Sequence, residues 1–364
     1  MKKLLALSAV LAFGLTACGN DGTSSSTNNS TPAPAPVTKK VNVGVGYTGS
    51  WNGSNQFDVT TAMVAFGEDG TIEGTRIDVI QVKVTANAEN TGVEIASTKG
   101  AVGLNEDGTI KTKLELGKDY GMLVSYGSKF AEVDAQIEAF ANWTEGKTIA
   151  QLNDSTVLKD HEGEMCEYLK DGILTSECTI VGEDFIDAIE SAWALKSTTT
   201  YDVAPEFTTG VAVNANLYFS TGATVSKTLD FDLGGALVVD GKVVAAAVDC
   251  VAVEFTVAEG AVTLKDGSQY YDTTTGAFKS KKTLGDAYGM KKGNGAGYGN
   301  ADLEWWEQAA VIENACIGKT SAEISAMVKG KGDLATATMN LSTYTGSVAK
   351  AATYAPMTQI GPKA

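Results

Sequence analysis

The feature that most constrains this chain is that it repeats itself. Leu116-Gly117-Lys118-Asp119-Tyr120-Gly121-Met122 recurs as Leu284-Gly285-Asp286-Ala287-Tyr288-Gly289-Met290, 168 residues further on. Upstream, Asp69-Gly70-Thr71-Ile72 matches Asp240-Gly241-Lys242-Val243, and Ile77-Asp78-Val79-Ile80 matches Val248-Asp249-Cys250-Val251. Downstream, Gly146-Lys147-Thr148 recurs as Gly318-Lys319-Thr320 at an offset of 172, the four extra residues falling in the glycine-rich stretch 291–300. Landmarks kept in one order at nearly constant spacing mark a tandem duplication. They predict two similarly folded domains, residues 41–199 and 200–364.

Each copy reads as α+β, an antiparallel sheet with helices packed on one side. Residues 60–66 and 233–239 are apolar runs that lead into the turn dipeptides Asp69-Gly70 and Asp240-Gly241, where positive φ is cheap. Residues 72–84 and 243–257 follow as second strands, the first with an expected phase change near Ile80. A third turn, Asp107-Gly108, leads into Lys111–Leu116, read as another strand. Phe130, Val133, Ile137, Phe140 and Ala141 have helical spacing, as do Leu303, Trp306, Ala309, Ala310 and Ile312. Thr148-x-x-Gln151 and Thr320-x-x-Glu323 read as capping boxes. Amphipathic helices over 183–194 and 344–354 close the copies.

The N-terminus carries a separate message. Lys2 and Lys3 precede an apolar run, Leu4 to Leu15, of signal-peptide length, too short to span a bilayer. Leu15-Thr16-Ala17-Cys18 resembles the lipobox of bacterial lipoproteins, which implies that residues 1–17 are removed and Cys18 is lipidated. Residues 18–40, rich in Ser, Thr, Asn and Gly and ending in Pro32-Ala33-Pro34-Ala35-Pro36, cannot bury enough apolar surface to fold and read as a linker. The expected location is the outer face of a membrane, with the lipid as sole anchor.

Composition excludes several function classes. Net charge is −16 and Arg76 is the single arginine, so no clustered basic surface exists for nucleic acid. With one histidine, His161, multi-histidine metal sites are ruled out, and the repeat holds no nucleophile–base set. No independent catalytic activity is expected. Cys166, Cys178, Cys250 and Cys316 allow two disulfides or four buried thiols, and spacing does not choose between them. The two Gly-Lys-Thr triplets are not phosphate loops: the positions that need a glycine hold Ala141 and Glu313, and a helix precedes each triplet.

The chemical signal shared by both copies is Lys-x-Lys followed by Leu-Gly-x-x-Tyr-Gly-Met. Lysines two apart on a strand point the same way, so Lys111 with Lys113, and Lys279 with Lys281, are candidates to meet one anion. Tyr120 with Met122, and Tyr288 with Met290, are candidates to cover a flat ring. The alternative is a solvated strand face followed by a glycine turn.

Asp171-Gly172-Ile173-Leu174-Thr175, before the helix that contains Phe185, resembles the end of the FMN-binding domain family, whose motif threonine can carry FMN through a phosphoester bond. Ser176-Glu177-Cys178 replaces that family's Gly-Ala-Thr. The whole repeat also resembles surface lipoproteins of anaerobic Gram-positive bacteria. These resemblances imply a small ligand, FMN, attached at Thr175, and extracellular electron transfer in which the cofactor supplies the redox chemistry. The alternative is a non-catalytic surface protein that contacts a protein or glycan partner.

Overall fold

The computed structural model describes residues 37–89, 92–128, 131–161, 164–169, 180–219, 227–293 and 301–355. Two antiparallel sheets dominate. The first comprises β1 (Lys39–Trp51), β2 (Gln56–Gly67), β3 (Ile72–Ala86), β4 (Val93–Ser97) and, beyond the β5–β6 hairpin (Thr156–His161, Glu164–Leu169), β7 (Tyr201–Val203), in the order β4-β3-β2-β1-β7. The second comprises β8 (Thr208–Phe219), β9 (Lys227–Val239), β10 (Lys242–Ala258) and β11 (Ala261–Leu264), in the order β11-β10-β9-β8. A two-residue hairpin, β12 (Tyr271–Asp272) with β13 (Ala277–Phe278), follows. The helices are α1 (Lys113–Leu116), α2 (Val133–Thr144), α3 (Ile149–Asp154), α4 (Glu183–Leu195), α5 (Lys281–Leu284), α6 (Trp305–Cys316), α7 (Ser321–Ser325) and α8 (Leu341–Tyr354).

The two sheets share one apolar core and each has helices over its other face. Val43, Val45, Phe57, Val59, Met63, Ile80 and Val82 of the first sheet meet Val211, Val213, Leu229, Phe231 and Leu233 of the second. Phe57 stacks on Phe231 with centroids 5.0 Å apart, and Phe278 meets Phe57 edge-on at 4.5 Å. On the outer face of the first sheet, Ala62, Val64, Ile77 and Val79 pack with Ile137, Phe140, Phe185 and Ile189. On the outer face of the second, Ala236, Val248 and Cys250 pack with Trp305, Ile312, Tyr344 and Val348. Burial of both faces explains why the central strands read as nearly continuous apolar runs. It also corrects the expected phase change near Ile80. The register is regular there: Ile77 and Val79 face helices while Ile80 and Val82 face the other sheet. The irregularity falls instead between Ala65 and Phe66, beside the turn.

Helix contact with each sheet depends on small residues. A Cβ on Gly44 would lie 2.1 Å from the Ala192 carbonyl oxygen of α4, and one on Gly210 would lie 1.9 Å from that of Ala351 in α8. Either position admits no side chain without moving a helix.

The turn dipeptides form as expected: Gly70 has φ +82°, and Asp240 and Gly241 have +50° and +75°. The Gly-Lys-Thr triplets stop one helix and start the next. Gly146 and Gly318 take φ +75° and +77°, and Thr148 and Thr320 form reciprocal capping boxes with Gln151 and Glu323. Each triplet is also tied to a strand start, because the amides of Ile72 and Val243 donate to the Lys147 and Lys319 carbonyls. One helix phase differs from expectation. Glu304 caps α6, so Trp305 is the buried tryptophan (1% exposed) and Trp306 is exposed (41%), donating to Asp286 Oδ1 at 3.0 Å.

Candidate functional site

The Lys-x-Lys elements are not strands. Thr112 caps α1 and exchanges hydrogen bonds with Glu115, so Lys113 is the first residue of a helix and Lys111 precedes it. Ser280 caps α5 one way only, its hydroxyl accepting from the Thr283 amide, which places Lys281 first in that helix and Lys279 outside it. Competition from a good N-cap explains the difference: a hydroxyl between two lysines satisfies an orphan amide that a strand would not have. Each short helix hangs from a buried aspartate. Asp78 Oδ1 accepts from the Leu114 amide at 3.1 Å, and Asp249 Oδ1 accepts from that of Lys282 at 3.1 Å. Burial pushes both carboxyls up to about 6.

The two lysines of the second pair therefore diverge. Lys281 is buried, 2.6 Å from Asp230 Oδ2, while Lys279 lies on the surface, 3.4 Å from Asp272. Lys113 is half-buried with its ammonium 5.2 Å from the Tyr120 ring centroid, and Lys281 lies 5.8 Å from that of Tyr288. Tyr120 and Tyr288 are buried, and Met122 and Met290 pack at the edges of the helix-side cores. The Met122 and Met290 amides donate to Glu132 and Glu304 at 2.8 Å each. These groups hold the turn against the following helix. Lys279 and Lys281 engage different carboxylates, Asp272 and Asp230. Cys18 and Thr175 lie outside the described residues. Cys250 and Cys316 are buried free thiols, and Cys178 lies outside the described residues.

A polar cleft opens instead where the first-half loop 105–109 meets the second sheet and its last helix. Its volume is about 410 Å³. Asn105, Asp107 and Thr109 line one wall. Asn214 and Asn216, alternate residues of β8, line another, and Ser342, Gly346, Lys350 and Tyr354, spaced four apart on α8, complete it. A second hollow of about 400 Å³ shares Asp107, Thr109 and Asn216 and adds Ile95, Leu104 and Leu217, which makes a continuous trough. Two of its charges neutralise each other. Glu115 Oε1 accepts from Lys350 Nζ at 2.8 Å and from Tyr354 OH at 2.7 Å, and Oε2 accepts from the Thr112 amide at 2.9 Å. Burial raises the Glu115 carboxyl, but Lys350 and these hydrogen bonds outweigh it and hold the group below its usual range. Asp107 accepts from the Thr109 hydroxyl (2.6 Å) and amide (3.0 Å), which lowers its carboxyl too. Neutral amides and hydroxyls line the cleft beside the ionised Asp107 carboxylate. Sequence reasoning missed this site because its residues are scattered over a loop, a strand and a helix of different halves. The Asn214-x-Asn216 alternation was the one local signal.

The fold and this cleft define an α+β protein with a ligand-sized polar trough. Comparison of the chain with protein-family models, curated proteins and solved structures finds no match. Among the described residues no helix is long and apolar enough to cross a membrane.

Proposed function

We propose that this chain is an exported lipoprotein, held at the outer face of a membrane by lipid on Cys18, that binds a small neutral polyhydroxylated ligand of the saccharide class. Its two halves, 41–199 and 200–364, are read as diverged copies of one domain, on the strength of the recurring capped helix, tyrosine turn and Gly-Lys-Thr helix stop. The single observation that carries the ligand class is the lining of the 410 Å³ cleft. Its amides and hydroxyls suit ring hydroxyls, Tyr354 offers an aromatic surface, and the one cation, Lys350, is neutralised by Glu115. The protein binds and presents; the cleft contains no nucleophile–base pair, and catalysis is not part of this reading. FMN, which the sequence resemblance implies, needs a cation for its phosphate, and that need favours the saccharide over the flavin.

Calorimetric titration of the purified chain with neutral oligosaccharides and, in parallel, with FMN tests this. Saccharide binding that weakens at least roughly tenfold in Asn216→Ala and Thr109→Ala is expected, since each removes a hydrogen bond of about 1.5 kcal/mol to the ligand. Binding of FMN alone, or a flavin absorption band and added FMN mass in protein from its native host, would replace the saccharide reading with the flavin one. Membrane release of Cys18→Ala is the separate test of anchoring.

A further inference from the structure

We propose that Asp230, Asp232 and Cys250 bind a divalent cation of the zinc class on the helix-facing side of the second sheet. Asp230 and Asp232 are alternate residues of β9, so both carboxylates leave the same face while Phe231 between them enters the shared core. Cys250 of β10 is the cross-strand partner of Asp232. One donor atom from each residue lies within 4.8 Å of the others. All three side chains are buried, at 6%, 0% and 0% exposure.

A second observation points to a ligand. Asp230 Oδ1 and Asp232 Oδ1 are buried and have no hydrogen-bond partner among the described residues. A buried carboxylate oxygen left bare is costly and in native proteins is met by a donor or a metal. Lys281 reaches Asp230 through the other oxygen, Oδ2, at 2.6 Å, and also donates to Tyr344 OH at 3.4 Å and to the Cys250 sulfur, a contact it would yield on metal binding. Asp232 has neutral donors, Asn216 Nδ2 at 2.8 Å from its Oδ2 and the Cys250 thiol. Two carboxylates, a thiolate and one ammonium sum to a charge of −2, which one divalent cation cancels. Two carboxylate oxygens with one sulfur suit zinc and its borderline neighbours better than the all-oxygen preference of calcium or magnesium. On coordination the Cys250 S–H bond is exchanged for a metal–sulfur bond and the thiol proton leaves to solvent.

The first sheet shows that the fold does not require this donor set. Asp78 faces Thr61 across β2 and β3, and Asp249 faces Leu233 across β9 and β10. Counting from those pairs, Asp58, Thr60 and Val79 stand where the second sheet has Asp230, Asp232 and Cys250. Asp58 is satisfied on both oxygens, by Gln56 Nε2 and Gln81 Nε2 at 2.8 Å each. One sheet closes the position with amides, and the other leaves two oxygens open and adds a sulfur.

The test uses the full chain, unfolded and refolded with a chelator and then refolded with Co²⁺ as the probe, because a site this buried loads with folding. The expected result is one bound Co²⁺ per chain with a sulfur-to-cobalt charge-transfer band. Cys250→Ala and Asp232→Asn should each lose the band and weaken Co²⁺ binding by roughly 100-fold or more, above what loss of an outer-shell partner costs. Cys316→Ala should keep it. If a variant does not fold, the unaltered chain still decides: Zn²⁺ should protect Cys250, and not Cys316, from alkylation mapped by mass spectrometry. Absence of stoichiometric metal, a band that survives Cys250→Ala, or alkylation of Cys250 unchanged by Zn²⁺ would each overturn the proposal.

Discussion

Lys113 and Lys281 occupy the same place in two very similar pieces of backbone, and their charges are treated in opposite ways. Each is the first residue of a four-residue helix behind a hydroxyl cap, each lies near a buried tyrosine, and each helix hangs from a buried aspartate. Burial opposes the charge on both. At Lys281 the surrounding Cys250, Tyr344 and Asp230 groups outweigh burial and hold the ammonium well above the usual lysine range, with Asp230 supplying the direct ion pair. At Lys113 burial wins over the carboxylates of Asp58, Asp184 and Asp78, and the ammonium is pushed below it. The cause is one strand away. Asp58 gives its oxygens to two glutamines, whereas Asp230 gives one to lysine. Local sequence fixes the cap and the turn, and the facing strand decides what the lysine is for.

The largest expected effect breaks this symmetry directly. Lys281→Met strands the Asp230 carboxylate in the interior and should cost about 3–5 kcal/mol, the range for removing one partner of a buried ion pair. Lys113→Met removes a charge that burial already penalises and that has no carboxylate within ion-pair distance among the described residues, and should leave stability unchanged or slightly raised. Urea unfolding at neutral pH with a chelator present measures both. Equal losses would mean that the two lysines are equivalent after all.

The same contrast shows what was legible in the sequence. Helix stops, capping boxes and tight turns depend on neighbours three or four residues away. Thr148 with Gln151, Thr320 with Glu323 and Asp240-Gly241 all form as read. Features set by the facing sheet were not legible. The inter-sheet core hid the regular register around Ile80, since a strand apolar on both faces loses its alternation. Adjacent tryptophans give the helix two possible phases, and only the Glu304 cap chooses Trp305 over Trp306 for the core. The cleft was invisible for a further reason. Asn216, Thr109 and Lys350 become neighbours only when a first-half loop meets the last helix.

Where the halves agree, the expected effect is smaller and depends on pH. Burial raises Asp78 from 3.8 to about 6, so the folded chain keeps a proton that the unfolded chain loses near 4. The folded state therefore binds more protons between about pH 4 and 6, and stability falls as pH rises through that window and levels off above it. The contribution is about 3 kcal/mol. Asp78→Asn keeps an acceptor for the Val79 and Leu114 amides and should remove this slope, gaining on the parent as pH rises. Stability profiles of the two proteins that run parallel from pH 4 to 7 would show that Asp78 ionises normally.

The smallest effect concerns the lysines themselves, with no change in fold. Reductive methylation with ¹³C keeps each ammonium charge and gives each lysine a resonance that titrates. The signal absent from Lys113→Met should titrate below the ordinary 10.5, and the signal absent from Lys281→Met above it. The two directions carry opposite linkage. Lys113, lowered on folding, penalises the native state while it is protonated, so its share of stability rises as pH climbs from its folded value to 10.5. Lys281, raised on folding, contributes in full below 10.5, and its share is lost as pH rises toward its folded value. Two signals that titrate together would place the same charge environment around both ammoniums and remove the contrast between Asp58 and Asp230 on which the comparison rests.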